Sequence, residues 1–146
     1  MKVNIRKILV PVDFLSTSKR AFRFAREMAA CWDAEVHLLH VLDTDFLSGA
    51  VHITIEPLEE SVAKWEKRAR ERLNSLYHGE GGEKLAGQIH LRKGKPYEEI
   101  LKAADELDVD MIVLGSRGRK GLERAIFGSV AEKVTRMAKV PILIIK

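Results

Sequence analysis

Short uninterrupted apolar runs alternate along this chain with stretches in which apolar residues return every three or four positions. The first run, Ile8-Leu9-Val10-Pro11-Val12, contains no polar position, as in a strand covered on both faces. It stops at Asp13, and Ser16 or Ser18 is placed to cap a following helix. In that helix Phe22, Ala25, Met28 and Ala29 recur at helical spacing, with Arg20, Arg23 and Glu27 between them. A second strand is read over about Glu35 to Leu42. Asp43 to Ile55 lacks a regular pattern and is expected to be a loop over the surface. Leu58, Val62, Trp65, Ala69, Leu73 and Leu76 then step by 4, 3, 4, 4 and 3 residues, which predicts an amphipathic helix ended by Gly79-Glu80-Gly81-Gly82. A third strand falls near Gln88 to Arg92. Pro96 suits the first turn of a helix whose apolar side is Ile100, Leu101, Ala104 and Leu107. Met111-Ile112-Val113-Leu114 is a fourth buried strand, and a loop runs from Gly115 to Gly128. Val130, Val134 and Met137 mark a last helix, and Pro141 to Ile145 a last strand.

Strand and helix thus alternate five times, which predicts an α/β fold: one open parallel sheet with helices on both faces. Right-handed crossovers leave few ways to connect it. In such sheets a ligand sits at the carboxyl ends of the strands, where strand order reverses. Asp13, the stretch from His40 to Asp43, and the loop opened by Gly115 are therefore the positions to examine.

Composition narrows the function classes. A length of 146 residues fits one domain over residues 1–146 with a sizeable core. No apolar run reaches the roughly 18 residues a membrane helix needs. The residues Met1 to Arg6 show no signal-peptide pattern and Cys31 is the sole cysteine, so a reducing cytoplasm is the expected setting. Cys31 itself is expected in the core near a helix end, and Trp65 is expected to pack. The net charge of +4 is too small to indicate nucleic acid, and an aromatic fraction of 6% offers no stacking platform. His37 and His40 stand three apart on a strand and point to opposite faces, so a metal site there is not expected. His52, His78 and His90 show no ligand spacing.

The strongest chemical signal is Gly115-Ser116-Arg117-Gly118, nine residues, then Gly128-Ser129. It follows a buried strand and leads into a helix near Ser129. Glycines let backbone approach a phosphate with no Cβ in the way, and a helix start presents unpaired N–H groups. The helix dipole contributes about 0.3–1 kcal/mol to a bound anion. Micromolar affinity, about −8 kcal/mol, therefore also needs several amides and a nucleoside pocket. Neither a Walker A string nor G-x-G-x-x-G is present. Read without context, the glycines could equally shape a plain surface loop. Asp13 reads as a helix cap or as a ligand group. Ser129 reads as an N-cap or a phosphate contact. Arg119, Lys120 and Arg124 individually read best as a solvated face.

The spacing Gly-x2-Gly-x9-Gly-Ser, in its place between strand and helix, resembles the nucleotide-binding pattern of the universal stress protein family, in its ATP-binding branch. The ends Ile8–Asp13 and Lys139–Ile145 are similar to that family's first and last strands. The resemblance implies a Rossmann-like five-stranded sheet of order 3-2-1-4-5, with ATP lying across the switch point. It implies that Asp13 sits by the ribose and triphosphate and that the backbone of Val41 bonds adenine. Gly115 would lie against the ribose, and Arg117, Gly118, Gly128, Ser129 and Val130 would hold phosphates. Pro11, Val12 and Leu114 are the adjoining strand-end positions of the same site. ATP, ADP or AMP with Mg²⁺ is the implied ligand. The apolar last strand, Pro141 to Ile145, would be a sheet edge, which invites pairing in a two-fold homodimer. The expected function is ATP-binding regulation of a stress response through a protein partner, with little or slow hydrolysis, because no catalytic base besides Asp13 is evident. The alternative is a slow ATP hydrolase or a nucleotidyl- or phosphoryl-transfer enzyme. Phe14-Leu15-Ser16-Thr17 lacks the Ser-Gly-Gly loop of ATP pyrophosphatases, and no His-x-x-His box lies there.

Overall fold

The computed structural model describes residues 3–51, 58–79, 87–116 and 128–146. Its elements run β1 (Lys7–Pro11), α1 (Ser16–Trp32), β2 (Glu35–Asp43), α2 (Thr44–Val51), α3 (Leu58–Gly79), β3 (Ile89–Gly94), α4 (Pro96–Glu106), β4 (Met111–Gly115), α5 (Ser129–Met137) and β5 (Ile142–Ile145). The five strands form one parallel sheet in the order β3-β2-β1-β4-β5. Strand order reverses between β1 and β4, so the switch point opens above Pro11 and Gly115.

Each face of the sheet buries its own cluster. Ile8, Val10, Val36, Leu38 and Val113 meet Phe22 and Ala25 of α1 and Leu73, Leu76 and Tyr77 of α3. Leu9, Leu39, Ile112 and Leu114 meet Ile100 and Ala103 of α4 and Ala131 and Val134 of α5. Continuous apolar strands result, because alternate side chains each enter a core. Trp65 packs as expected, against Leu42, Leu47 and Ala69.

Two expectations are corrected here. The segment after Leu42 is not all loop: β2 runs on to Asp43, and Thr44–Val51 is α2. The carboxylate of Asp43 caps that helix, accepting the N–H groups of Asp45 and Phe46 at 3.0 and 3.2 Å. Leu47 then anchors it beside Leu42. Cys31 is exposed, not core. The buried phase of α1 runs through Ala21, Phe22, Ala25 and Ala29, which turns Cys31 outward.

Candidate functional site

Two strand-to-helix turns flank the switch point. In the first, Val12–Leu15 links β1 to α1. Leu15 is the N-cap and makes no side-chain cap bond, so neither Ser16 nor Ser18 stands at the expected capping position. The Ser18 hydroxyl reaches Asp13 and, at 3.0 Å, the Leu15 carbonyl instead. It lies 2.8 Å from Asp13 Oδ1 and accepts the Asp13 N–H at 3.3 Å. Oδ1 also accepts the Leu15 N–H at 2.9 Å. Among the described residues Asp13 Oδ2 accepts no hydrogen bond, and Asp13 is half-buried. The carboxylate is thus held by one oxygen with the other open. Phe14 adopts a left-handed φ of 67°, rare for a bulky residue. Its ring is clasped between His40, at 4.5 Å between centroids, and the Arg72 guanidinium, 4.3 Å away.

The second turn, Ser116–Gly128, links β4 to α5, and its two ends are tied together. Ser116 is buried; its N–H donates to the Ile145 carbonyl at 2.8 Å, and its carbonyl accepts the Gly128 N–H at 2.7 Å. Gly128 is the N-cap of α5 and makes no side-chain cap bond. Ser129 is therefore the first helical residue, not the cap. The first-turn amides of α5, at Ser129, Val130 and Ala131, have no partner within the helix and, among the described residues, no capping side chain. Arg117 and Gly118 lie outside the described residues. Gly115 has a local reason to be glycine. A Cβ there would stand 2.7 Å from the Ser18 nitrogen and the Thr17 carbonyl carbon, so the end of β4 seats the first turn of α1 directly.

Pro11, Val12 and Leu114 are buried where β1 and β4 end. Val41 lies one strand over, half-buried against the α4–α5 cluster. Asp13, Val41, Gly115 and Gly128–Val130 therefore come together at the carboxyl end of the sheet. The set can supply amides, one open carboxylate oxygen and an apolar strand end, which suits a nucleotide. No group of three metal-ligating side chains occurs among the described residues.

The sequence reading missed a polar cluster on β2 and β3 that runs from Glu35 at the start of β2 to Arg92, which is level with Val41. Glu35 and His37 of β2 meet His90 and Arg92 of β3. His37 Nε2 lies 3.1 Å from the Glu35 carboxylate, and its Nδ1 lies 3.0 Å from His90 Nε2. Arg92 pairs with Glu99 at 3.7 Å and with Glu106, both on α4. Burial first, then the neighbouring His37 and Arg92, hold the His90 imidazole below the ordinary histidine pKa. The Arg92 guanidinium, through its hydrogen bond, holds the Glu106 carboxyl below the usual carboxylate range. Only strand register brings these histidines together, so spacing along the chain carries no signal for them.

Comparison with known proteins places this geometry. The family model described as "Universal stress protein family" matches residues 4–146. The chain is 32% identical over 144 residues to universal stress protein MJ0531 of Methanocaldococcus jannaschii, covering 97% of this chain and 82% of that protein. It is 30% identical over 145 residues to universal stress protein YxiE of Bacillus subtilis, covering 96% and 98%. Among solved structures, that of the hypothetical protein MJ0577 superposes with a TM-score of 0.86 at 28% identity, covering 99% and 97%. The universal stress protein from Archaeoglobus fulgidus, in complex with dAMP, superposes with a TM-score of 0.66 at 28% identity, covering 99% and 100%. Among the described residues no helix is long and apolar enough to cross a membrane.

Proposed function

This chain belongs to the universal stress protein family, and from that premise we propose that it is an ATP-binding regulator of a stress response. The observation that carries the reading is the convergence at the switch point of Asp13, the Val41 backbone and the uncapped start of α5. A related protein, the one from Archaeoglobus fulgidus, is in complex with dAMP, an adenine nucleotide. In our reading one strand residue recognises the base. The Val41 N–H donates to an adenine ring nitrogen and its carbonyl accepts from the exocyclic amine. Guanine presents the reverse pattern and is rejected. The amides of Ser129 and Val130, with Gly128 and with Arg117 and Gly118 of the connecting loop, hold the phosphates.

The chemistry of the donor set fits a Mg²⁺-bound triphosphate. Asp13 would offer its open Oδ2 to the ribose or the ion, while Oδ1 stays committed to Ser18 and Leu15. Mg²⁺ would supply charge neutralisation of the phosphates. Asp13 is the only acid at the two turns among the described residues, and its Oδ1 is already engaged by the Ser18 hydroxyl and the Leu15 N–H. Hydrolysis is accordingly slow, and occupancy rather than turnover is the signal that a protein partner reads.

β5 is an edge of the sheet, and Ile142, Leu143, Ile144 and Ile145 are all half-buried in the single chain. A second copy paired there would cover it, giving a two-fold homodimer. Light scattering at micromolar concentration is expected to return the dimer mass; a monomer contradicts it. The nucleotide site is tested by Gly118→Val and Gly128→Val. Added bulk on the phosphate side is expected to weaken ATP binding by at least about tenfold in a folded protein. Folded variants that bind ATP as tightly as the parent contradict the loop assignment.

A further inference from the structure

We propose that His40 is a positioning residue of this site: its imidazole occupies the Val12 carbonyl and thereby keeps the backbone of Val41 open for the base. The proposal rests on the nucleotide reading above for its function, while its structural half can be tested without a nucleotide.

Backbone groups of successive residues in a strand face opposite neighbours. In β2 the Leu38 N–H donates to Gln88 on the β3 side at 2.9 Å, and the Leu39 carbonyl accepts the Val12 N–H on the β1 side at 2.8 Å. Val41 stands two residues after Leu39, so its N–H and carbonyl also face the β1 side. The next rung of a parallel ladder would run from the Val41 N–H to the Val12 carbonyl. Among the described residues that rung is absent. The Val12 carbonyl is engaged by His40 Nδ1 at 2.7 Å. A carbonyl only accepts, so Nδ1 carries the proton.

The ring is held in place for this task. His40 is buried and lies against Phe14, itself buried in the core and also in contact with the Arg72 guanidinium. The left-handed φ of Phe14 interrupts the extended backbone immediately beyond this point, so the strand conformation of β1 does not continue alongside Val41. Side chain and turn together end the ladder one rung early, on the strand whose neighbour at the switch point is β1.

Amide hydrogen exchange of the nucleotide-free protein, followed by NMR, reads the structural half. In the parent the Val41 amide is expected to exchange at least about 100-fold faster than that of Leu39, which lies inside the ladder. In His40→Phe, which keeps a ring against Phe14 but no donor, the freed Val12 carbonyl is expected to take the Val41 N–H and slow its exchange. The same variant is expected to bind ATP about tenfold more weakly and to lose part of its preference for ATP over GTP. His40→Asn, whose side-chain amide reaches nearly where Nδ1 does, is expected to keep both exchange and preference. A Val41 amide as protected as Leu39 in the parent overturns the role of His40, whatever the parent binds. So does a His40→Phe protein that matches the parent in Val41 exchange and in ATP preference. A parent that binds no ATP overturns the nucleotide reading instead, and with it the functional half of this proposal.

Discussion

The two turns that flank the switch point do similar geometric work by opposite means. Val12–Leu15 is short and tied by side chains: Ser18 and the Leu15 amide on Asp13, His40 on Val12, Arg72 on Phe14. Ser116–Gly128 is long; its two described ends are bonded to each other through the backbone, and it leads into a helix whose N-cap is a glycine with no side chain to offer. The first turn spends its polar groups internally and leaves one carboxylate oxygen. The second leaves its amides for something else. A site of this kind pairs a prebuilt wall with a wall completed by ligand, so substitutions on the two sides should fail differently.

The largest effect is expected where the two walls touch. Gly115→Val drives a side chain into the backbone of Thr17 and Ser18 and should destabilise the fold by about 3 kcal/mol, the upper range for overpacking. A thermal melt checks it; an unchanged midpoint means α1 can move off β4. Gly128→Val, on the open wall, should leave that midpoint nearly intact and strike ATP affinity. Next comes Ser18→Ala. It removes the hydroxyl from the buried Asp13 clasp and should cost about 1–2 kcal/mol in denaturant unfolding. A smaller loss would mean that the Leu15 amide holds the carboxylate alone.

The effect of pH should come from the His37–His90 pair of β2 and β3. With both imidazoles neutral, His37 donates from Nε2 to Glu35 and accepts at Nδ1 from His90 Nε2. Protonating both sets two N–H groups against each other. The folded His90 pKa lies below 6.5, so between the two values the unfolded chain binds more protons than the folded one. Stability is therefore full above pH 6.5 and falls as pH drops below it. Melting midpoints between pH 7.5 and about 5.5 should decline in the parent and decline less in His90→Asn. Equal slopes would remove this pair as the cause. The smallest effect belongs to Glu106→Gln, which breaks an exposed pair with Arg92 and should barely move the melt.

Much of the scaffold was legible in the chain. Uninterrupted runs such as Ile8–Val12 mark strands buried on both faces, and the heptad-like steps of α3 mark a helix over a core. α2 was missed because Thr44–Val51 has no apolar period long enough to register, yet the Asp43 carboxylate that caps it stood in view. Cys31 is exposed because the phase set by Phe22, Ala25 and Ala29 overrides the usual burial of its residue type. At the site, the Asp13 and Gly128–Ser129 positions follow from their place after buried strands. What no local pattern gives is their support. Ser18 on Asp13 and His40 on Val12 depend on how β1, α1 and β2 pack, and the His37–His90 contact depends on register. Gly115 carries a lesson of its own: a glycine read as room for a ligand is also required by helix–strand contact.

The central claim is most directly tested by calorimetric titration of the purified, nucleotide-free protein with ATP in the presence of Mg²⁺, with AMP alongside. The account predicts micromolar or tighter ATP binding and weaker AMP binding, the difference arising in the amides at the start of α5. No ATP binding, or AMP bound as tightly as ATP, would contradict it.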